Sequence, residues 1–178
     1  MIRPFLLALL AASAAAQTPP RLGAARALVA EVAAVDGPRV GEPAPTFEAV
    51  TVSRDTVRLG ELRGRHVLLE FWGTWCGPCV AYAPRLAALH ARYPRDRFEI
   101  VGVALDGAEA VRQFTEARGL GWPQIVEPNR NGRPVVDLYG VRAYPTTFLI
   151  DPDGVVVYRD SGYGGGLEAA LAEALDRP

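Results

Sequence analysis

The chain of 178 residues predicts an α/β fold, a central mixed β-sheet flanked by helices. Strand-like apolar runs alternate with helical patterns between residues 67 and 118, an order typical of helices packed on the faces of a sheet. A strand–turn–strand pattern follows at residues 146–159 and adds antiparallel strands. The composition, 49% hydrophobic and 22% charged, suits one globular domain with its own core.

The N-terminus has the layout of a secretory signal peptide, predicted over residues 1–16. Arg3 supplies a positive charge, an apolar run follows to Ala12, and small residues at 14–16 offer a cleavage site. The apolar run is too short to span a bilayer comfortably, so an uncleaved anchor is the weaker interpretation. We therefore expect export to the periplasm and no transmembrane segment after cleavage.

Residues 17–40 are rich in Ala, Pro and Gly and predict a loosely packed linker with one short helix over 24–35. The folded domain is expected at residues 41–178. The patterns predict these elements in chain order: an N-terminal β-hairpin (47–52 and 56–59), a buried strand (67–72), a helix (76–92), a strand (98–105), a helix closed by Gly119 (108–118), a short strand (122–126), a short helix (134–139), a hairpin (146–150 and 155–159) and a final helix (167–175).

Cys76 and Cys79 lie where the buried strand gives way to a helix. The unpaired N–H groups and the positive dipole end at a helix start favour a thiolate at Cys76. Pro78 fits the first helical turn, where its missing N–H costs nothing. Cys79 is about one turn further on, so the two sulfurs can bond to each other. The spacing predicts a redox disulfide in which Cys76 attacks and Cys79 resolves.

Two alternatives give Cys76 and Cys79 a structural role, as a permanent disulfide or as half of a zinc site. A disulfide that closes so small a ring constrains the unfolded chain weakly and stabilises the fold by about 2 kcal/mol. A structural zinc site usually needs four ligands, and the chain offers two cysteines and two isolated histidines, His66 and His90. We therefore expect no metal and no cofactor other than the disulfide itself. The net charge of −1 also gives no indication of nucleic acid as a partner.

Several separated segments resemble one family. Residues 71–79 (Phe-Trp-Gly-Thr-Trp-Cys-Gly-Pro-Cys) resemble the active-site motif of thioredoxin-fold proteins, and residues 140–151 resemble the segment whose cis proline faces the two cysteines. The Gly-Glu-Pro-Ala-Pro opening at 41–45, the N-terminal hairpin and the inserted helix near 108–118 are similar to exported TlpA/ResA-like thiol–disulfide oxidoreductases. The resemblance covers roughly residues 40–176.

The resemblance implies a cis Pro145 that presents the backbone of Tyr144 to an extended substrate segment. The alternative is an ordinary trans proline at the start of a strand. The other implied positions are substrate contacts at Trp75, Gly77 and Pro78, a packing role for Trp72, and a kink of the active-site helix at Pro84.

Glu70 is a carboxylate within the apolar strand, six residues before Cys76. It matches the buried carboxylate of thioredoxin, and burial would raise its pKa so that it exchanges a proton with Cys79. The alternative is a carboxylate at the strand edge in contact with water. Thioredoxin pairs this group with a lysine and this chain has no lysine, so the proton path is expected to use water or another group.

The predicted function is therefore reduction of protein disulfides by an exported monomer. A thiol reductant in the membrane is expected to reduce its Cys76–Cys79 disulfide again after each turnover. The first alternative is a protein-disulfide oxidant or isomerase with the same chemistry. A peroxiredoxin-type peroxidase is a weaker alternative, because the usual placement of Pro and Thr ahead of its reactive cysteine is missing. A copper-handling module is also weaker, because no positioned histidine is present. Tyr82 and Thr146 replace the glutamates of two cytochrome-maturation subgroups, which weakens an assignment to cytochrome c maturation.

Overall fold

The structure is a computed structural model that describes residues 36–127 and 134–176. The predicted signal peptide and the predicted helix over 24–35 lie outside the described residues. Within the described part of the chain, no helix combines the length and the apolar character needed to cross a membrane.

The described elements follow the predicted order closely. They are β1 (Glu48–Val50), β2 (Thr56–Arg58), a 3-10 helix (Leu59–Leu62), β3 (His66–Trp72), α1 (Gly77–Arg92), β4 (Phe98–Ala104), α2 (Ala108–Arg118), β5 (Gln124–Val126), α3 (Val135–Leu138), β6 (Thr146–Ile150), β7 (Val156–Ser161) and α4 (Leu167–Leu175).

Strand β3 lies at the centre of a five-stranded sheet of order β5-β4-β3-β6-β7. It runs parallel to β4 and antiparallel to β6, so the predicted mixed sheet is confirmed. Strand β7 extends two residues beyond the predicted end at Arg159, to Ser161. It does so because Asp160 and Ser161 pair with the first two residues of β6, although their polar side chains look like loop residues in the sequence.

The side chains of β3 divide between two apolar clusters according to the period-two geometry of a strand. Val67, Leu69 and Phe71 join a cluster on one face of the sheet. Leu68 packs on the opposite face with Leu86 of α1, and Trp72 lies in a smaller cluster with both cysteines. Glu70 lies between Leu68 and Trp72 in this alternation, so its side chain belongs to the face covered by α1.

The segment from residue 41 to residue 52 contacts the sheet at both of its outer strands. At β7, the Gly41 N–H donates to the carbonyl of Val156 (2.8 Å), and Pro43 forms an isolated bridge with Val155, the residue before the strand. At β5, Thr51 at the end of the β1–β2 hairpin forms an isolated bridge with Ile125. The N-terminal hairpin is thus present as predicted, and it covers part of an outer strand.

The expected loose packing is wrong for Gly37 and Pro38, which are buried, whereas Asp36, Arg39 and Val40 at the same described end of the predicted linker are exposed. Gly37 has a positive φ of 69° and is buried, and a Cβ there would come within 1.9 Å of the backbone oxygen of Tyr139. The guanidinium of Arg159 donates to the carbonyls of Asp36 and Pro38 at 3.2 and 3.3 Å. Gly37 and Pro38 therefore pack against the folded domain.

We expect Gly37→Ala to lower the free energy of unfolding by more than about 1 kcal/mol, because alanine disfavours the positive φ and its methyl group collides with backbone. Urea unfolding of the oxidised protein measures this effect. The matched control is Gly60→Ala, at an exposed position where an added Cβ meets nothing within 4 Å. Equal stabilities of the two variants would contradict the close packing of residue 37.

Candidate active site

Cys76 and Cys79 form a disulfide at the start of α1, with an S–S distance of 2.00 Å. Cys76 is the N-cap residue, and its sulfur accepts a hydrogen bond from the N–H of Cys79 at 3.3 Å. Both cysteines are buried, whereas Gly77 and Pro78 between them are exposed. The pair therefore lies directly beneath a surface formed by the first turn of the helix, and Pro78 occupies that turn as predicted.

The loop that joins β3 to α1 is held by the turn that follows β4, at residues 105–106. The N–H of Thr74 donates to Oδ2 of Asp106 at 2.6 Å, and the indole N–H of Trp75 donates to the carbonyl of Leu105 at 3.2 Å. A Cβ at position 73 would lie 2.6 Å from the indole nitrogen of Trp75, so only glycine allows this approach. Asp106 was not among the predicted site residues, since in the sequence it looks like an ordinary turn residue.

The exposed Trp75 and the half-buried Tyr144 form the aromatic part of the site. The Trp75 side chain is 60% exposed, as predicted for a contact surface, and its ring meets that of Tyr144 edge-on at 5.6 Å. The Tyr144–Pro145 peptide bond is cis, which confirms the predicted isomer. Because Phe71 pairs with Thr146, Pro145 lies at the same end of the sheet as the cysteine loop.

Trp72 packs as predicted, in one apolar cluster with both cysteines. Its indole N–H donates to Oε1 of Gln124 at 3.0 Å. Gln124 can take this position because its strand neighbour is Gly102, where a Cβ would lie 2.1 Å from that oxygen. Gln124 is a second site residue that sequence reasoning missed, and its only signal was a polar residue within a short apolar strand.

Pro84 lies inside α1 at an exposed position, and the helix continues on both sides of it. A proline has no N–H to donate to the carbonyl of Val80, four residues earlier. The predicted kink of the active-site helix at Pro84 stays a prediction.

Glu70 is buried, with 3% of its surface exposed, and Oε1 accepts a hydrogen bond from the hydroxyl of Tyr163 at 2.7 Å. Burial raises the pKa of the Glu70 carboxyl to about 7, and the hydrogen bond from Tyr163 acts against that rise. The strand-edge alternative for Glu70 is therefore wrong. Tyr163 was missed, because a tyrosine in a loop of glycines gives no sign of a partner 93 positions away.

Further contacts hold Tyr163 in place. Its ring stacks on that of Tyr82 with centroids 3.7 Å apart and planes 9° from parallel, and the Tyr82 hydroxyl donates to Oε1 of Glu168 at 2.6 Å. The N–H of Gly162, the preceding residue, donates to the carbonyl of Pro145 at 2.8 Å. Tyr163 therefore contacts the buried carboxylate, and the residue before it contacts the cis proline.

The two histidines lie away from these residues. His90 on α1 is 2.8 Å from Oε1 of Glu99 on β4 and meets the ring of Trp122 edge-on. Within residues 36–127 and 134–176, no group of three or more His, Cys, Asp or Glu side chains is placed to hold a metal ion.

Comparison with known proteins gives consistent matches. The model of the AhpC/TSA family matches residues 40–159. ResA, a thiol–disulfide oxidoreductase of Oceanobacillus iheyensis, is 42% identical over 123 residues, which cover 66% of this chain and 62% of that protein. ResA of Halalkalibacterium halodurans is 35% identical over 136 residues, or 76% of this chain and 74% of that one. A Chlorobium tepidum crystal structure described as a thiol:disulfide interchange protein DsbE has 30% identity and a TM-score of 0.70, and the match covers 78% of this chain and 99% of that one.

The sheet topology, the cysteine pair and these matches define the class of protein, a thiol–disulfide oxidoreductase with a thioredoxin fold. Within that class, the chain belongs to the AhpC/TSA family and is similar to the ResA proteins.

The pKa of Glu70 predicts a stability that depends on pH. Its carboxyl has an ordinary pKa of 4.5 in the unfolded chain and about 7 in the fold, so between these values the folded protein holds a proton that the unfolded chain has released. Stability therefore falls as pH rises through this window, by about 3 kcal/mol in total.

The Glu70→Gln substitution removes this loss of stability at higher pH, because glutamine has no proton to release. We expect the variant to gain stability relative to the wild type between pH 4 and pH 8, when both are oxidised and unfolded in urea. Parallel stability curves for the two proteins across this range would contradict the raised pKa.

Proposed function

We propose that the protein is exported and reduces disulfides in other proteins by dithiol–disulfide exchange. The observation that carries this proposal is the Cys76–Cys79 disulfide at a helix start, at the same end of the sheet as a cis proline. The named relatives are thiol–disulfide oxidoreductases, which supports the same chemistry.

The exchange takes place in two steps. In the reduced protein, the Cys76 thiolate attacks one sulfur of a substrate disulfide, which forms a mixed disulfide and releases the first substrate thiolate. The Cys79 thiolate then attacks the sulfur of Cys76, which releases the second thiolate and leaves the Cys76–Cys79 disulfide. Two electrons pass to the substrate, and two protons complete its thiols.

The helix start favours Cys76 as the attacking group. Its sulfur already accepts the N–H of Cys79, and this contact favours a thiolate together with the positive end of the helix dipole. The exposed first turn at Gly77 and Pro78 leaves room for a substrate to approach.

Glu70 is the proposed proton acceptor for Cys79. It lies on the face of β3 that α1 covers, and Trp72, two residues along the same strand, shares a cluster with Cys79. With a pKa of about 7, the carboxyl can take up or release a proton near neutral pH. Cys79 could thus become a thiolate only when the second step requires it.

Substrate contact is proposed at Trp75, Tyr144, Gly77 and Pro78. The exposed Trp75 and the half-buried Tyr144 form an aromatic surface beside the cysteines, and Pro145 brings an extended backbone to the same place. A substrate segment could pair with that backbone as an added strand.

The location and the electron donor are also proposals. The signal-like N-terminus supports export to the periplasm, an oxidising compartment in which two cysteines become oxidised by default. A reductant there needs a continuing source of electrons, for which we propose a thiol protein in the membrane. We propose that the protein acts as a monomer with no cofactor other than its disulfide.

Cys76→Ser is expected to abolish reduction of insulin disulfides, because it removes the attacking sulfur. Cys79→Ser is the informative partner variant, since it retains the attack and is expected to accumulate a mixed disulfide that gel electrophoresis detects without reductant. Insulin reduction by Cys76→Ser at the wild-type rate would refute the mechanism.

The reduction potential of the Cys76–Cys79 pair decides the direction of electron flow. We expect equilibration with glutathione or dithiothreitol to give a value near the approximately −270 mV of thioredoxin, as a reductant requires. A value near the approximately −120 mV of DsbA would instead indicate the oxidant or isomerase alternative.

A further inference from the structure

Glu70 has a tyrosine as its hydrogen-bond donor, in a chain without lysine. We propose that Tyr163 is a positioning residue whose hydrogen bond favours the ionised form of the Glu70 carboxyl for proton transfer with Cys79, and that the loop 162–166 links this contact to the substrate surface at Pro145. The inference rests on the proposed function and extends it to a residue beyond the cysteine motif.

The surroundings of Glu70 make this donor important. Thr147 pairs with Glu70 across the sheet and shares its face, but its buried hydroxyl has no hydrogen-bond partner among the described residues. On the other side, β4 places Gly102 opposite Glu70, and the side chain of Gln124 fills the space over that glycine with an amide nitrogen that has no hydrogen-bond partner among the described residues. A hydrogen bond to a buried carboxylate favours the charged form strongly when few other donors are near.

Tyr163 is suited to remain a donor. Burial raises the pKa of its hydroxyl, and the neighbouring Glu70 charge raises it further, so the hydroxyl keeps its proton at neutral pH. Among the described residues, the titratable groups on this side include Cys79 and Tyr82 of α1 and Tyr158 and Asp160 of β7, while Glu168 of α4 accepts the hydrogen bond of Tyr82 and is 3.7 Å from Arg85.

The loop fixes the position of the donor by three contacts. The Tyr163 ring stacks flat on Tyr82, the N–H of Gly162 donates to the carbonyl of Pro145, and the N–H of Gly164 donates to Oδ2 of Asp160 at 2.9 Å. Gly162, at one end of the loop, thus contacts the cis proline, and the next residue, Tyr163, contacts the buried carboxylate. A substrate that shifts Pro145 would also shift the donor of Glu70.

The direct test is the titration of Glu70 in the oxidised protein, followed by carboxyl ¹³C NMR or by infrared spectroscopy, with Glu70→Gln to assign the signal. Tyr163→Phe keeps the stacked ring and removes the donor. We expect it to raise the midpoint of the Glu70 titration by about one pH unit, since hydrogen bonds to charged groups have this strength. Incorporation of 3-fluorotyrosine at position 163 makes the hydroxyl a stronger donor and is expected to lower the midpoint.

Tyr158→Phe is the matched control. It removes a phenolic hydroxyl that donates to Asp160 at 3.3 Å, in the same region but without contact to Glu70. We expect its Glu70 midpoint to equal that of the wild type. A Tyr163→Phe midpoint equal to that of the wild type would overturn the proposal.

The second readout is the pH profile of kcat/KM for insulin reduction by the reduced protein. Its acid limb is expected to move to higher pH in Tyr163→Phe and to stay in place in Tyr158→Phe. If Tyr163→Phe shifts the midpoint of the Glu70 titration but leaves the acid limb of the kcat/KM profile in place, the proposal is also overturned. Tyr163 would then act on a carboxylate that transfers no proton. The proposed function fails separately, through a Cys76→Ser variant that remains active.

Discussion

The central position of β3 is the constraint on which the site depends. Its pairing with β4 aligns Trp72 with Ala104, and its pairing with β6 aligns Phe71 with Thr146. These two registers bring three chain segments to one end of the sheet: the cysteine loop, the turn at 105–106 that holds it, and the cis proline. A shift of one residue in either pairing would turn Glu70 and Trp72 to the opposite face, away from α1.

The same strand requires a compromise between stability and chemistry. Its other members are apolar or aromatic from Val67 onward, and a buried carboxylate among them disfavours its own charge. The fold offsets part of this cost with one hydrogen bond from Tyr163. What remains is a carboxyl whose pKa lies near neutral pH, which is the range in which it can serve as both acid and base.

The fold was largely predictable because its signals are local. The period of the apolar residues located β3, α1 and α2, and the motifs at 71–79 and 140–151 predicted the cysteine pair and the cis proline. The residues that were missed share one property: Asp106, Gln124 and Tyr163 act through partners 32, 52 and 93 positions away. Such contacts depend on the three-dimensional arrangement, and no spacing within one element indicates them. The packing of Gly37 and Pro38 escaped prediction for the same reason.

The path of residues 41–52 across both outer strands has a consequence for how the protein meets other chains. Unpaired outer strands invite association with any extended polypeptide, and the proposed substrates are such polypeptides. The bridge from Pro43 to Val155, the residue before β7, and the bridge from Thr51 to β5 lie at these two edges, and proline has no N–H to offer. Under the proposed function, the backbone beside the cysteines, rather than the rim of the sheet, is then the place where an extended substrate chain pairs.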